Sequence, residues 1–107
     1  MAIKRFDVYL VNLDPTFGTE IKKTRPCIVI SPDEMNNSLS TVLIAPMTTT
    51  LRNYPTRVKI NFQATEGEIV LDQIRAIDKK RLVKKLGKTP SHTADEVLKI
   101  LQEMFLL

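Results

Sequence analysis

Apolar residues come in short bursts from Phe6 to Leu86, then in a helical rhythm from Val97 to Phe105. The first burst, Phe6 to Leu13, puts Val8 and Leu10 on one side of an extended chain and Tyr9, Val11 and Leu13 on the other. That predicts a strand covered on both faces. Asp14-Pro15 ends it, because proline has no N–H to give to a ladder. A polar loop opened by Gly18 follows and carries Glu20, Lys22, Lys23 and Arg25. Pro26 to Ser31 is predicted as a second strand, apolar without interruption from Cys27 to Ile30. Asp33 to Ser40 is polar, with Asn36-Asn37 as turn formers, and has room for one short helical turn. Val42 to Pro46 is a third strand, followed by Met47-Thr48-Thr49-Thr50. Leu51 to Pro55 is a loop with Tyr54 as its exposed aromatic.

The clearest alternation lies at Arg57 to Phe62, where Val58, Ile60 and Phe62 face one way and Arg57, Lys59 and Asn61 the other. Glu68 to Ile77 predicts one long strand or two short ones, broken by the polar pair Asp72-Gln73. Such a pair in an apolar strand asks for a bulge, a strand end or a site. Leu82 to Leu86 is a last short strand, stopped by Gly87 and Pro90. Thr93 with Glu96 three residues on predicts a capping box. Val97, Leu98, Ile100, Leu101, Met104 and Phe105 then recur at helical spacing. The sum is about six strands and one amphipathic helix, a mainly β chain that suits a small, partly open barrel with a helix laid against it. At 107 residues this is one domain, 1–107.

Composition narrows the setting. Cys27 is the only cysteine, so no intrachain disulfide is possible, and its apolar neighbours make it a small buried hydrophobe. No apolar run is long enough to span a bilayer, and Met1 to Asp7 lacks an apolar signal core. A cytoplasmic protein without membrane contact is the expectation. The formal charge is +4 with a pI near 9.4, which favours polyanionic partners. Much of the excess sits in Lys79, Lys80, Arg81, Lys84, Lys85 and Lys88, a run with no acid inside it. The tail Phe105-Leu106-Leu107 is apolar to its last residue, so it packs either on the core or on a second subunit. A homodimer is predicted.

The chain lacks a glycine-rich phosphate loop and any His, Asp and Glu spacing that would hold a metal, so neither metal nor cofactor is expected. His92 is the single histidine and reads as a surface residue near a turn, which argues against a serine–histidine or cysteine–histidine nucleophile. An electrostatic route remains. Arg25, Thr48 and Gln73 each stand at a strand end or interruption and each can bond a phosphate or a base edge, although a threonine after a strand also commonly just closes a turn. RNA cleavage needs little more, because the attacking 2′-hydroxyl belongs to the substrate. A guanidinium suits the phosphate, being planar, forked and always charged.

Several short segments, weak alone, are specific in their order and spacing. They are Asp7-Val8-Tyr9-Leu10-Val11 with Leu13-Asp14-Pro15, Gly18-Thr19-Glu20 with Arg25-Pro26, Ile30-Ser31-Pro32 with Asn37, Pro46-Met47-Thr48-Thr49, and Asp72-Gln73-Ile74-Arg75-Ala76-Ile77-Asp78. In these the chain resembles the MazF/PemK/Kid family of endoribonuclease toxins from bacterial toxin–antitoxin pairs. The resemblance implies an SH3-like barrel with a C-terminal helix, a homodimer, and a cognate antitoxin whose extended tail covers the RNA groove. It implies metal-free cutting of single-stranded RNA at short motifs, leaving a 2′,3′-cyclic phosphate and a 5′-hydroxyl. By the same resemblance Arg25 transfers protons and stabilises the phosphate, Thr48 steadies that phosphate, Glu20 is an acid important in some members, and Gln73 touches a base. Thr49, Lys22, Lys23, Asp72 and Tyr54 complete the expected RNA-binding set.

Two departures matter. Some relatives carry an arginine two residues before the aspartate of the Asp-Gln pair, and here that position is Val70. Asp72 is therefore expected to lack its arginine, and Arg25 with Thr48 becomes the expected chemical pair. Lys22 and Lys23 stand where many relatives have small residues, which should draw phosphate or an acidic antitoxin more strongly. Arginine is a poor base, so the base is Glu20, a water, or Arg25 in an unusual setting. Two rivals differ in kind: a non-catalytic toxin on the same barrel that binds a protein such as a topoisomerase, and a plain RNA-binding barrel. The first fits poorly with Arg25 and Thr48 both in place. The second usually shows stacking aromatics, and this chain is only 6% aromatic.

Overall fold

The computed structural model describes residues 2–14 and 23–106. Seven strands form one curled antiparallel sheet: β1 Asp7–Asn12, β2 Thr24–Val29, β3 Thr41–Thr48, β4 Arg57–Phe62, β5 Thr65–Val70, β6 Arg75–Asp78 and β7 Leu82–Lys88. A six-residue helix, α1 Asp33–Ser38, joins β2 to β3, and α2 Ser91–Phe105 follows β7. The strand order is β4-β5-β3-β2-β1-β7. One edge of β3 is shared: β6 pairs with Thr41 to Ile44 and β5 with Met47 and Thr48. Between them Leu71–Gln73 makes one turn of 3-10 helix. The polar pair Asp72-Gln73 is thus a jog, where the chain steps off β3 and rejoins it, and the predicted interrupted strand is two strands.

Alternation along each strand splits the core in two. On one face of the sheet Tyr9, Val11, Cys27, Val29, Val42, Ile44 and Ile77 cluster. On the other, Val8, Ile28, Ala45, Val58, Ile60, Ile69 and Leu71 meet Val97 of α2, with Ile100, Leu101 and Met104 packed against them. Phe105 and Leu106 are 76% and 77% exposed.

The expected capping box is corrected. Pro90 is the N-cap, without a side-chain bond, and Ala94 N–H donates to its carbonyl at 2.9 Å. The helix therefore begins two residues before Thr93, which is buried in its first turn. Pro90, with its fixed φ and extended ψ, sets the start more firmly than the threonine.

Candidate active site

Arg25 lies within β2, opposite Val11 of β1, and its guanidinium donates to the Met47 carbonyl at 3.3 Å. Thr48 is the last residue of β3. Its hydroxyl accepts from Thr50 N–H at 3.1 Å, closing a turn and leaving its own proton to donate outward. Gly67 on β5 makes this corner possible: a Cβ there would stand 2.6 Å from the Thr48 carbonyl oxygen. Arg25, Thr48 and Thr49 line a cleft of about 210 Å³ with Pro26, Met47, Ile60, Phe62 and Gln63. Its lining mixes the Arg25 guanidinium, the Glu66 carboxylate and threonine hydroxyls with apolar side chains. That is suitable for one base or sugar beside a phosphate.

The loop after Thr49 is held by Glu68, which faces Thr48 across the β3–β5 pairing and is fully buried. Its carboxylate accepts from Arg52 N–H at 2.9 Å and Asn53 N–H at 3.0 Å. Burial pushes the Glu68 pKa up. The two backbone N–H groups and the Arg57 charge, 3.7 Å away, outweigh it and hold the carboxyl below the usual range. Arg57 also donates to Asp72 through Nε at 3.0 Å and Nη2 at 3.3 Å, and Thr56 hydroxyl donates to the same carboxylate at 3.0 Å. Partial burial works to raise the Asp72 pKa, and these bonds overcome it and lower it. The exposed Tyr54 ring lies 5.0 Å from the Arg57 guanidinium.

Asp72 therefore does not lack an arginine. Arg57 is the register partner of Val70 on the neighbouring strand, so it reaches Asp72 from across the ladder. The sequence shows no sign of this until β4 and β5 are aligned. Gln73 sits half-buried in the 3-10 turn. Lys23 is exposed at the root of the loop with φ 69°, its N–H on the Asp14 carboxylate at 3.0 Å. Glu20 and Lys22 lie outside the described residues. The structure thus brings Arg25, Thr48 and Thr49 to one cleft, and Tyr54 and Asp72 to a second group around Arg57. Among the described residues no three His, Cys, Asp or Glu side chains cluster as a metal site. Cys27 is buried and its thiol is pushed up to about 12 by burial, against the pull of the Arg25 and Arg75 charges, so it is no nucleophile.

Residues 4–105 match the family described as PemK-like, MazF-like toxin of type II toxin–antitoxin system. The chain belongs to this toxin family. It is 35% identical to endoribonuclease EndoA of Bacillus subtilis (strain 168) over 95% of this chain and 93% of that protein. The crystal structure of MazF from Deinococcus radiodurans superposes with a TM-score of 0.86 at 23% identity, covering 100% of this chain and 99% of the other. A mycobacterial endoribonuclease in complex with its cognate antitoxin gives 0.84 at 24% identity, over 99% and 98%. Both likenesses speak for the fold, the curled half-barrel with a C-terminal helix. Sequence reasoning missed Arg57, Glu68 and Gly67 around this candidate site. Only Glu68 left a trace, as an acid at the head of the apolar run Ile69 to Leu71.

Proposed function

We propose that this toxin-family chain is an endoribonuclease that cuts single-stranded RNA at short sequence motifs by attack of the substrate's 2′-hydroxyl. The 2′-oxygen bonds to phosphorus as the bond to the 5′-oxygen breaks. A base takes the 2′ proton and an acid gives one to the departing 5′-oxygen, leaving a 2′,3′-cyclic phosphate and a 5′-hydroxyl. Arg25 supplies charge to the phosphoryl oxygens and a proton to the leaving group, and Thr48 donates one hydrogen bond to the same phosphate. A guanidinium is a poor base, so the proton goes to Glu20, to a water, or to Arg25 in an unusual setting. Thr49, Gln73, Tyr54, Asp72, Lys22 and Lys23 hold flanking nucleotides.

The observation that carries this reading is the convergence of Arg25, Thr48 and Thr49 on one cleft in a chain of this family. A relative named as an endoribonuclease at 35% identity supports it. No step above needs a metal. The cytoplasm is its place of action, and a cognate antitoxin holds it in check, as the mycobacterial complex suggests for its own toxin. The test is incubation of single-stranded RNA with the protein in EDTA, followed by end analysis. Cyclic-phosphate and 5′-hydroxyl ends are expected. Intact RNA with folded protein overturns the reading in favour of a non-catalytic toxin. Activity lost in EDTA and restored by magnesium overturns its metal-free part.

A further inference from the structure

The end of β1 is gripped from two sides by arginines that the cleft does not use. Arg75, on β6, donates to the Leu13 carbonyl at 3.4 Å. Arg81, just before β7, donates to the Asn12 carbonyl at 3.1 Å and also to the Asp14 carbonyl. β6 joins the sheet through β3, and β7 joins it through β1, so the two side chains approach Asn12 to Asp14 from opposite flanks. Arg25 belongs to the same place. It pairs with Val11, two residues before Leu13, and Arg25 and Arg75 share the sheet face that carries Val11 and Ile44. The neck is closed below by Leu13 N–H on the Lys23 carbonyl at 3.1 Å.

Two features separate Arg75 and Arg81 from ordinary loop braces. Their bonds go to backbone carbonyls, and neither makes an ion pair with a carboxylate among the described residues, so both positive charges stand uncompensated by contact. Each guanidinium has five N–H donors and commits few of them. A brace needs a donor; it does not need a charge. Both are half-buried; Lys80, next to Arg81 in the chain, and Lys23, at the same neck, are exposed, and Asp14, the acid there, accepts from Lys23 N–H. Preoriented guanidiniums with spare donors beside a phosphate-binding arginine suit further phosphates of the same strand.

We infer that Arg75 and Arg81 form a second phosphate-binding cradle, which holds the RNA backbone next to the scissile nucleotide. This rests on the RNA-cleavage reading for its ligand. It adds a binding contact, not a catalytic one, so loss of either arginine should raise KM and spare kcat.

The experiment replaces each arginine by glutamine, which keeps an N–H for the carbonyl and deletes the charge, and separately by lysine, which keeps the charge. The probe is a fluorescein-labelled 2′-deoxy 12-mer, which binds through phosphates and cannot be cut because it lacks the attacking hydroxyl. Its affinity is measured by anisotropy from 0.05 to 0.2 M salt, with circular dichroism on every variant. Each glutamine should reduce the slope of log K against log salt by about 0.7, which corresponds to about eightfold weaker binding at 0.05 M and about threefold at 0.2 M. Lysine should restore most of the slope. Unchanged slopes in folded Arg75→Gln and Arg81→Gln overturn the cradle. If one variant does not fold, the other and the lysine pair still decide. A 12-residue poly-glutamate is the second probe: loss of its binding with the oligonucleotide slope intact also overturns the inference, in favour of an acidic protein partner. Cleavage by the wild type is scored apart. RNA cut at normal kcat with unchanged KM in the variants sinks the cradle alone, whereas no cleavage by any form sinks the enzymatic reading and leaves the oligonucleotide slopes to judge the cradle.

Discussion

Replacing Gly67 by alanine adds one methyl group at the tightest backbone approach beside the cleft. The new Cβ would stand 2.6 Å from the Thr48 carbonyl oxygen, whereas ordinary contact begins near 3.4 Å. Nearly 0.8 Å must therefore open between β3 and β5, and the atom opposed is backbone, which cannot rotate away. The displacement falls on Thr48 itself, one of the two groups assigned to the phosphate. Overpacking of this kind costs about 1–3 kcal/mol. For a domain of this size each kcal/mol lowers Tm by about 4–8 °C. A catalytic group misplaced by close to an ångström loses about 100-fold in rate. Single-turnover cleavage of a short RNA, read beside a thermal melt, measures both. A variant that melts and cuts like the wild type would show that the β3–β5 contact does not set the position of Thr48. A lower Tm with normal cutting would show that β5 yields instead of β3, and the positional argument would fall.

Arg25→Ala should keep the circular dichroism of the wild type and cut about 100- to 1000-fold more slowly, with Arg25→Lys little better, because an ammonium lacks the two-pronged contact; a near-normal rate would move the site elsewhere. Glu68 and Asp72 both titrate below the usual carboxylate range in the folded chain. Their contribution is therefore fully present above the unfolded-state values and lost as pH falls through the lower folded ones. Urea unfolding should show Glu68→Gln less stable than wild type at neutral pH, with the gap shrinking in acid; a gap independent of pH would contradict the assignment of a charged, buried Glu68. Light scattering at micromolar concentration should give twice the 12.2 kDa chain mass, since Phe105 and Leu106 leave apolar surface to cover; a clean monomer would refute the dimer.

Legibility followed the strength of the local signal. Arg57–Phe62 was readable to the residue because one of its faces is wet and the other dry. Asp72-Gln73 announced itself as a break because polarity there opposes an apolar strand, and the break is the jog between β5 and β6. Thr93 and Glu96 had the spacing of a cap, yet the chain turns into the helix at Pro90, so a local motif misled where a backbone constraint ruled. Arg57 could not be found by searching along the chain for an arginine near Asp72, because the pair is made across strands. Glu68 looks from sequence like a strand-opening acid on a wet face. Only the loop folded over it makes its carboxylate an internal anchor.

The two ends of the sheet order, β4 and β7, meet without pairing. Gln63, just past β4, donates to the Leu86 carbonyl at 3.3 Å, and the Phe62 ring lies against Gly87, where a Cβ would stand 3.3 Å from the ring. Phe62 and Gln63 also wall the cleft. The barrel is therefore a garment fastened by side chains along one side, and the fastening is the wall of the pocket. No ladder hydrogen bond takes part in that fastening, so side-chain packing and not strand pairing sets the wall.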